Sequence, residues 1–214
     1  MPAPLIKICG ISCPATLDAA LAAGADYVGL VFFAHSPRHV AIDQAAALAR
    51  QAGGRARVVG LFVDPAGDLL DSVCAAMPLD VIQLHGAEAP AAVAAIAQRH
   101  GSETWKAIGV RSRADLAAAA QYQGAAARVL FDAKPPEGAA LPGGTGLRID
   151  WALFADYRPA LPWGLAGGLN PGNVAEARAT TGAALLDVSS GVESAPGVKD
   201  AGLIAAFCVA ARNR

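Results

Sequence analysis

A thiol and a carboxyl group each close a short apolar run of this chain. Cys9 ends "LIKIC" (residues 5–9), and Asp132 ends "RVLFD" (residues 128–132). If both runs are strands of one sheet, the two groups stand at strand ends. A thiol beside backbone N–H dipoles ionises below its usual pKa of about 8.5. A carboxyl group in an apolar mouth instead keeps its proton and can donate it. A base and an acid across one cavity suit proton shuffling without a cofactor. Plainer readings stand beside these: a buried cysteine often only fills space, and Asp132 can cap the following turn. Arg38, in "SPRHV", suits bidentate capture of a carboxylate, although a lone surface arginine is usually just solvated.

Two glycine-rich stretches complete the set. "AGGLNPGNV" carries Gly167 and Gly168, whose N–H groups can approach an anion with no Cβ in the way. "DVSSGVES" places Ser190 and Gly191 where a short helix can begin with free N–H groups. Taken separately, one is a tight turn and the other a helix cap by Ser189. In adjacent units they point to a phosphate.

Such groups meet only if the surrounding elements bring them together. Eight apolar or β-branched runs recur, at residues 5–9, 27–33, 57–63, 79–85, 104–110, 128–132, 162–167 and 184–189. Several alternate with alanine-rich stretches of helical spacing, such as "PATLDAALAAGAD", which Gly24 stops, and "IDQAAALARQAGG", which ends at Gly53–Gly54. "EAPAAVAAIAQRHG" and "SRADLAAAAQY" read as two more helices. The runs are continuously apolar, as in strands buried on both faces. Strand then helix, eight times at about 27 residues per unit, predicts an α/β fold: one (β/α)8 barrel over residues 1–214. The competing open sheet lacks its G-x-G-x-x-G after the first strand; "KICGIS" stands there. In a barrel, the strand ends just named share the mouth where chemistry is done.

Composition sets the outer limits. Hydrophobic residues make up 54% of the 214 and charged residues 16%, which favours a packed core over disorder. A net charge of -1 with no basic block gives nucleic acid or an anionic membrane no purchase. No stretch reaches the ~20 apolar residues of a membrane span, and the first 30 residues lack a secretory pattern. Cys9, Cys13, Cys74 and Cys208 are scattered without disulfide or zinc spacing, so a reducing cytoplasm is expected. His35 and His39 follow a turn, and no metal is expected. The alanine-rich helix exteriors mark no oligomer patch, and a monomer is expected.

At these residues the chain resembles the phosphoribosylanthranilate isomerases of tryptophan biosynthesis. The matching pieces run in order over nearly the whole chain: "KICGI", "SPR", "VGLFVD", "QLHG", "LFDAK", "LPGGTG", "DW", "LAGGLNPGNV", "DVSSGVE" and "PGVKD". The resemblance implies a cofactor-free barrel of the ribulose-phosphate-binding type, acting on a phosphosugar-anthranilate by Amadori rearrangement. It places the general base on Cys9, the general acid on Asp132 and the grip on the anthranilate carboxylate on Arg38. Phosphate falls to Gly167–Gly168 and Ser190–Gly191, and Asp187 is set near the sugar hydroxyls. Lys7, two residues before Cys9, either adds positive potential there or pairs with a carboxylate. Two departures are mild: "LRI" at 147–149, where a lysine and an aromatic are common, and Gly172, where Glu is usual. The related isomerase of histidine biosynthesis is a rival, but members working by paired aspartates need Asp where Cys9 stands. A silent phosphosugar-binding barrel is a second rival, and it has no use for an acid and a base. The loop 133–146 reads as a lid, with Pro135–Pro136 stiff and Gly143–Gly144 loose.

Overall fold

The computed structural model describes residues 3–134, 143–144 and 146–213. Eight parallel strands close into a barrel in chain order: β1 (Leu5–Cys9), β2 (Tyr27–Phe32), β3 (Arg57–Phe62), β4 (Val81–Leu84), β5 (Glu103–Val110), β6 (Arg128–Ala133), β7 (Trp163–Leu165) and β8 (Leu185–Val188). Closure is made where Lys7 of β1 pairs in register with Asp187 of β8. Side chains alternate along each strand. Ile6 and Ile8 therefore point outward into the main core beneath the helices. Leu5 points inward, onto a plug of Tyr27, Val59, Val81, Trp105 and Leu130. Within the plug, the rings of Tyr27 and Trp105 meet edge to face at 5.0 Å. Cys9 continues the inward series and packs with Val31 and Leu61 at the opposite end.

The helices are α1 (Pro14–Ala22), α2 (Ile42–Ala52), α3 (Gly67–Ala76), α4 (Pro90–His100), α5 (Arg113–Ala117), α6 (Val174–Thr181) and α7 (Ala201–Arg212). Their ends obey local chemistry. Proline opens α1 and α4, where its missing N–H costs nothing. Gly53 ends α2 in the left-handed region, with Arg50 in the last turn. The expected 112–122 helix divides: α5 lasts five residues and a 3₁₀ turn, Ala118–Tyr122, finishes it. That turn carries Tyr122 to donate to the Glu88 carbonyl at 2.9 Å.

The eightfold strand–helix repeat is imperfect. Between β6 and β7 the described residues form only a 3₁₀ turn, Trp151–Phe154. Aromatic packing covers the barrel there instead: Phe154 stacks on Trp163 at 5.1 Å and meets Phe131 edge-on. After β8 comes a 3₁₀ turn, Ser190–Val192, and then the hairpin β9 (Glu193–Ala195) and β10 (Val198–Lys199). Only then does α7 begin, capped by the Asp200 carboxylate on the Leu203 N–H at 2.8 Å. No described helix is long and apolar enough to cross a membrane.

Candidate active site

The carboxyl ends of the strands surround a cleft. Cys9, Arg38, Asp132, Asp187, Gly167, Gly168 and Ser190 all line it, joined by His85 and Leu147. Residues nearly 180 positions apart thus meet through barrel closure. Gly191 is the exception among the expected residues. Its missing side chain lets the turn lie directly on the Leu169 carbonyl, so it packs behind the wall.

Cys9 sits at the end of β1 and is 5% exposed. The depressed pKa expected for its thiol is not what the structure holds. Burial pushes the thiol up; Lys7 and Lys199 oppose this, Asp187 adds to it, and the net direction is upward. The dipoles of loops after β7 and β8 were expected to dominate, but withdrawal from water costs the thiolate more. Lys7 is wholly buried and donates to both Asp187 oxygens, at 2.9 and 3.0 Å. Burial works against its charge, yet Asp187 and Cys9 hold its ammonium above the ordinary value. Burial likewise pushes the Asp187 carboxyl up, against Lys7 and with help from Asp132.

Asp132 faces the same cleft from β6. Its Oδ1 accepts from the Ala133 N–H at 2.7 Å, and its Oδ2 lies 3.3 Å from His85 Nε2. His85 Nδ1 is in turn 3.4 Å from Gln83 Nε2. One oxygen is thus bound to the next N–H, within β6 and not in a following turn, and the second oxygen remains at the cleft.

Arg38 is not the free cation its sequence context suggests. It is 6% exposed and clamped by Glu193, Nε donating at 2.7 Å and Nη2 at 2.8 Å. Lys199 donates to the same carboxylate at 2.7 Å, as well as to the Ser189 carbonyl and hydroxyl. Burial opposes the charge of Glu193, but Arg38 and Lys199 hold its carboxyl down at about 2. One negative charge between two positive ones leaves the cluster cationic. Arg38 Nη1 has no protein acceptor among the described residues.

The anion loops are built by close approach. Gly167 takes φ +78°, and a Cβ there would stand 2.5 Å from the Ala133 N and 2.9 Å from Asp132 Oδ1. Only glycine lets this loop close onto β6. Among the described residues the N–H groups of Gly167, Gly168 and Ser190 donate to no backbone acceptor outside helices and strands. No described group of three His, Cys, Asp or Glu side chains has metal-binding geometry. Of the loop read as a lid, residues 135–142 and 145 lie outside the described residues. Reading the sequence also missed Glu193 and Lys199. Both lie in matched pieces, "DVSSGVE" and "PGVKD", but nothing linear announces that a hairpin turns them onto Arg38.

Residues 6–210 match the family model for N-(5′-phosphoribosyl)anthranilate (PRA) isomerase. The N-(5′-phosphoribosyl)anthranilate isomerase of Rhodospirillum centenum is 58% identical over 96% of this chain and 98% of its own length. That of Paramagnetospirillum magneticum is 53% identical over 97% of both chains. Among solved structures, the phosphoribosyl anthranilate isomerase of Thermotoga maritima superposes with a TM-score of 0.87 at 33% identity, covering 97% of this chain and 98% of its own. A structure of such an enzyme in complex with reduced 1-(o-carboxyphenylamino)-1-deoxyribulose 5-phosphate gives 0.84 at 32% identity, over 97% of this chain and 98% of that one.

Proposed function

The chain belongs to the N-(5′-phosphoribosyl)anthranilate isomerase family, and on that premise we propose that Cys9 and Asp132 carry its reaction as base and acid. The activity is the isomerisation of N-(5′-phosphoribosyl)anthranilate to 1-(2-carboxyphenylamino)-1-deoxyribulose 5-phosphate in tryptophan biosynthesis. The observation that carries the assignment is the placement of Cys9 and Asp132 on different strands lining one cleft.

Asp132 protonates the ribose ring oxygen, the C1′–O bond breaks, and the anilino nitrogen takes up the charge as an iminium. Cys9 then removes the C2′ proton. The electrons of that C–H bond form the enol-amine, which tautomerises to the ketone with no net redox change. Two groups are needed because the proton is given and taken at different atoms. The step uses Cys9 as thiolate, which becomes the neutral thiol on taking the proton; burial opposes that thiolate, and Lys7 and Lys199 favour it. Arg38, through Nη1, takes the anthranilate carboxylate. The N–H groups of Gly167, Gly168 and Ser190 take the phosphate, with Gly191 supporting them from behind. Asp187 faces the sugar hydroxyls.

We read residues 1–214 as one domain working in the cytoplasm as a monomer. Three large apolar side chains among the described residues are exposed: Leu147 in a loop, Val198 on β10 and Val209 on α7. Light scattering tests the monomer; a stable dimer mass refutes it. For the chemistry, the anthranilate fluorescence of the substrate should decay on adding enzyme, equally well with EDTA present. Cys9→Ala and Asp132→Ala should each slow that decay at least ~100-fold. Near-normal turnover in either folded variant removes that residue from the mechanism.

A further inference from the structure

Resting on the reading of Cys9 as base, we propose that Lys7 is a positioning residue that holds the Cys9 sulfur as thiolate when the C2′ proton is taken. Lys7 and Cys9 lie two apart on β1 and share the inward face. They converge over Gly29 of β2, the register partner of Cys9. A Cβ at Gly29 would stand 2.9 Å from Cys9 Sγ and 3.3 Å from Lys7 Cε. The missing side chain is therefore what lets the ammonium stem and the sulfur share one space. Asp187 fixes the ammonium from β8 with two hydrogen bonds, and the ammonium's charge favours the Cys9 thiolate. Among the described residues, Lys7 Nζ donates to no backbone carbonyl. A lysine serving only to staple the barrel would be expected to spend its protons on such acceptors.

The sulfur is surrounded by identifiable charges. Lys7 lies on its own strand, Asp187 on β8, and Lys199 on β10. Arg38 packs against Gly10, the next residue, while His85, just after β4, and Asp132 of β6 face the cleft. Lys7 and Lys199 favour the thiolate and Asp187 opposes it. In the step itself the C2′–H bond breaks, its proton passes to sulfur, and its electron pair neutralises the iminium. Lys7 then faces a neutral thiol and keeps its partner Asp187.

The ultraviolet absorbance of the Cys9 thiolate, taken as the difference between each protein and its Cys9→Ser counterpart, reads the effect without turnover. Lys7→Met should move the thiol titration up by about one pH unit or more, leaving about tenfold less thiolate at a given pH. The acid limb of kcat/KM should move the same way. Asp187→Asn keeps the ammonium and should move the thiol titration down. An unmoved titration in folded Lys7→Met overturns the proposal. Should Lys7→Met not fold, an unmoved or raised titration in Asp187→Asn overturns it instead. If Cys9→Ala turns over normally, the base reading falls and takes this role with it, and the absorbance shift keeps that failure apart from a failure of the Lys7 contact.

Discussion

Two of the three buried lysine–carboxylate pairs among the described residues, Lys106–Glu88 and Lys7–Asp187, differ in what else the lysine touches. Lys106 of β5 meets Glu88 at 3.0 Å and donates to the carbonyls of Gly86 and Ala107 at 2.7 and 2.8 Å. Glu88 in turn accepts from the N–H groups of Asp64 and Gly86, at 2.9 and 3.0 Å. Apart from the Tyr122 ring, which the ammonium faces at 5.9 Å, every partner is backbone or the opposing charge, and the cluster ties the loops after β3 and β4 together. Lys7 meets Asp187 just as closely but lies against a thiol at the cleft wall. Saturated polar clusters hold structure. A cluster with one chemically reactive neighbour has a use for its remaining charge.

The comparison breaks most visibly at Lys106. Lys106→Met leaves Glu88 buried without its countercharge and should destabilise the protein by about 3–5 kcal/mol. The kcat of the folded fraction and the Cys9 thiol titration should stay as they were. Denaturant unfolding and the absorbance titration check both halves, and a moved thiol titration would erase the distinction.

Next in size is Arg38→Ala. Carboxylate binding by arginine is worth about 1.5–3 kcal/mol, so KM should rise roughly tenfold to hundredfold, with kcat changed less. Steady-state kinetics on the substrate decide it. Unaltered constants would place the carboxylate elsewhere and remove Arg38 from the reactive side of the comparison.

Smaller again is the acid response of Glu193. Its carboxyl binds a proton less readily in the folded chain than in the unfolded one, with a folded value of about 2 against an ordinary 4.5. Its contribution is complete above the ordinary range and drains away as pH falls toward 2. Glu193→Gln should flatten the loss of stability across that interval, measured by denaturant unfolding at several pH values. An unchanged slope would mean that Arg38 and Lys199 do not hold the carboxylate in solution.

The smallest effect belongs to the exposed pair of Arg99 and Asp71. Arg99→Ala should cost less than about 1 kcal/mol and vanish at high salt. A larger cost would show that burial is not what separates structural ion pairs from ornamental ones here.

Much of the site was legible because it depends on position along a strand. Cys9, Asp132 and the glycines after β7 are marked by where apolar runs stop, and a parallel barrel gathers all such stops at one end, whereas Asp187 came only from the family resemblance. Arg38 was legible by residue type, but its clamp was not: Glu193 reaches it across 155 residues of chain. The sixth helix was expected from regularity, and the described residues show aromatic packing instead. Arrangements of that kind leave no periodic trace.

Local order and alternation were therefore determined by the sequence itself: which runs are strands, which face Lys7 and Cys9 share, and where each strand ends. Those follow from backbone geometry and the pattern of apolar residues, both readable along the chain. The direction of the thiol's ionisation and the partners of Lys7, Arg38 and Lys199 were decided only by the closed barrel. Desolvation and Coulomb interaction depend on distance through space, and closure sets those distances between residues the chain holds far apart.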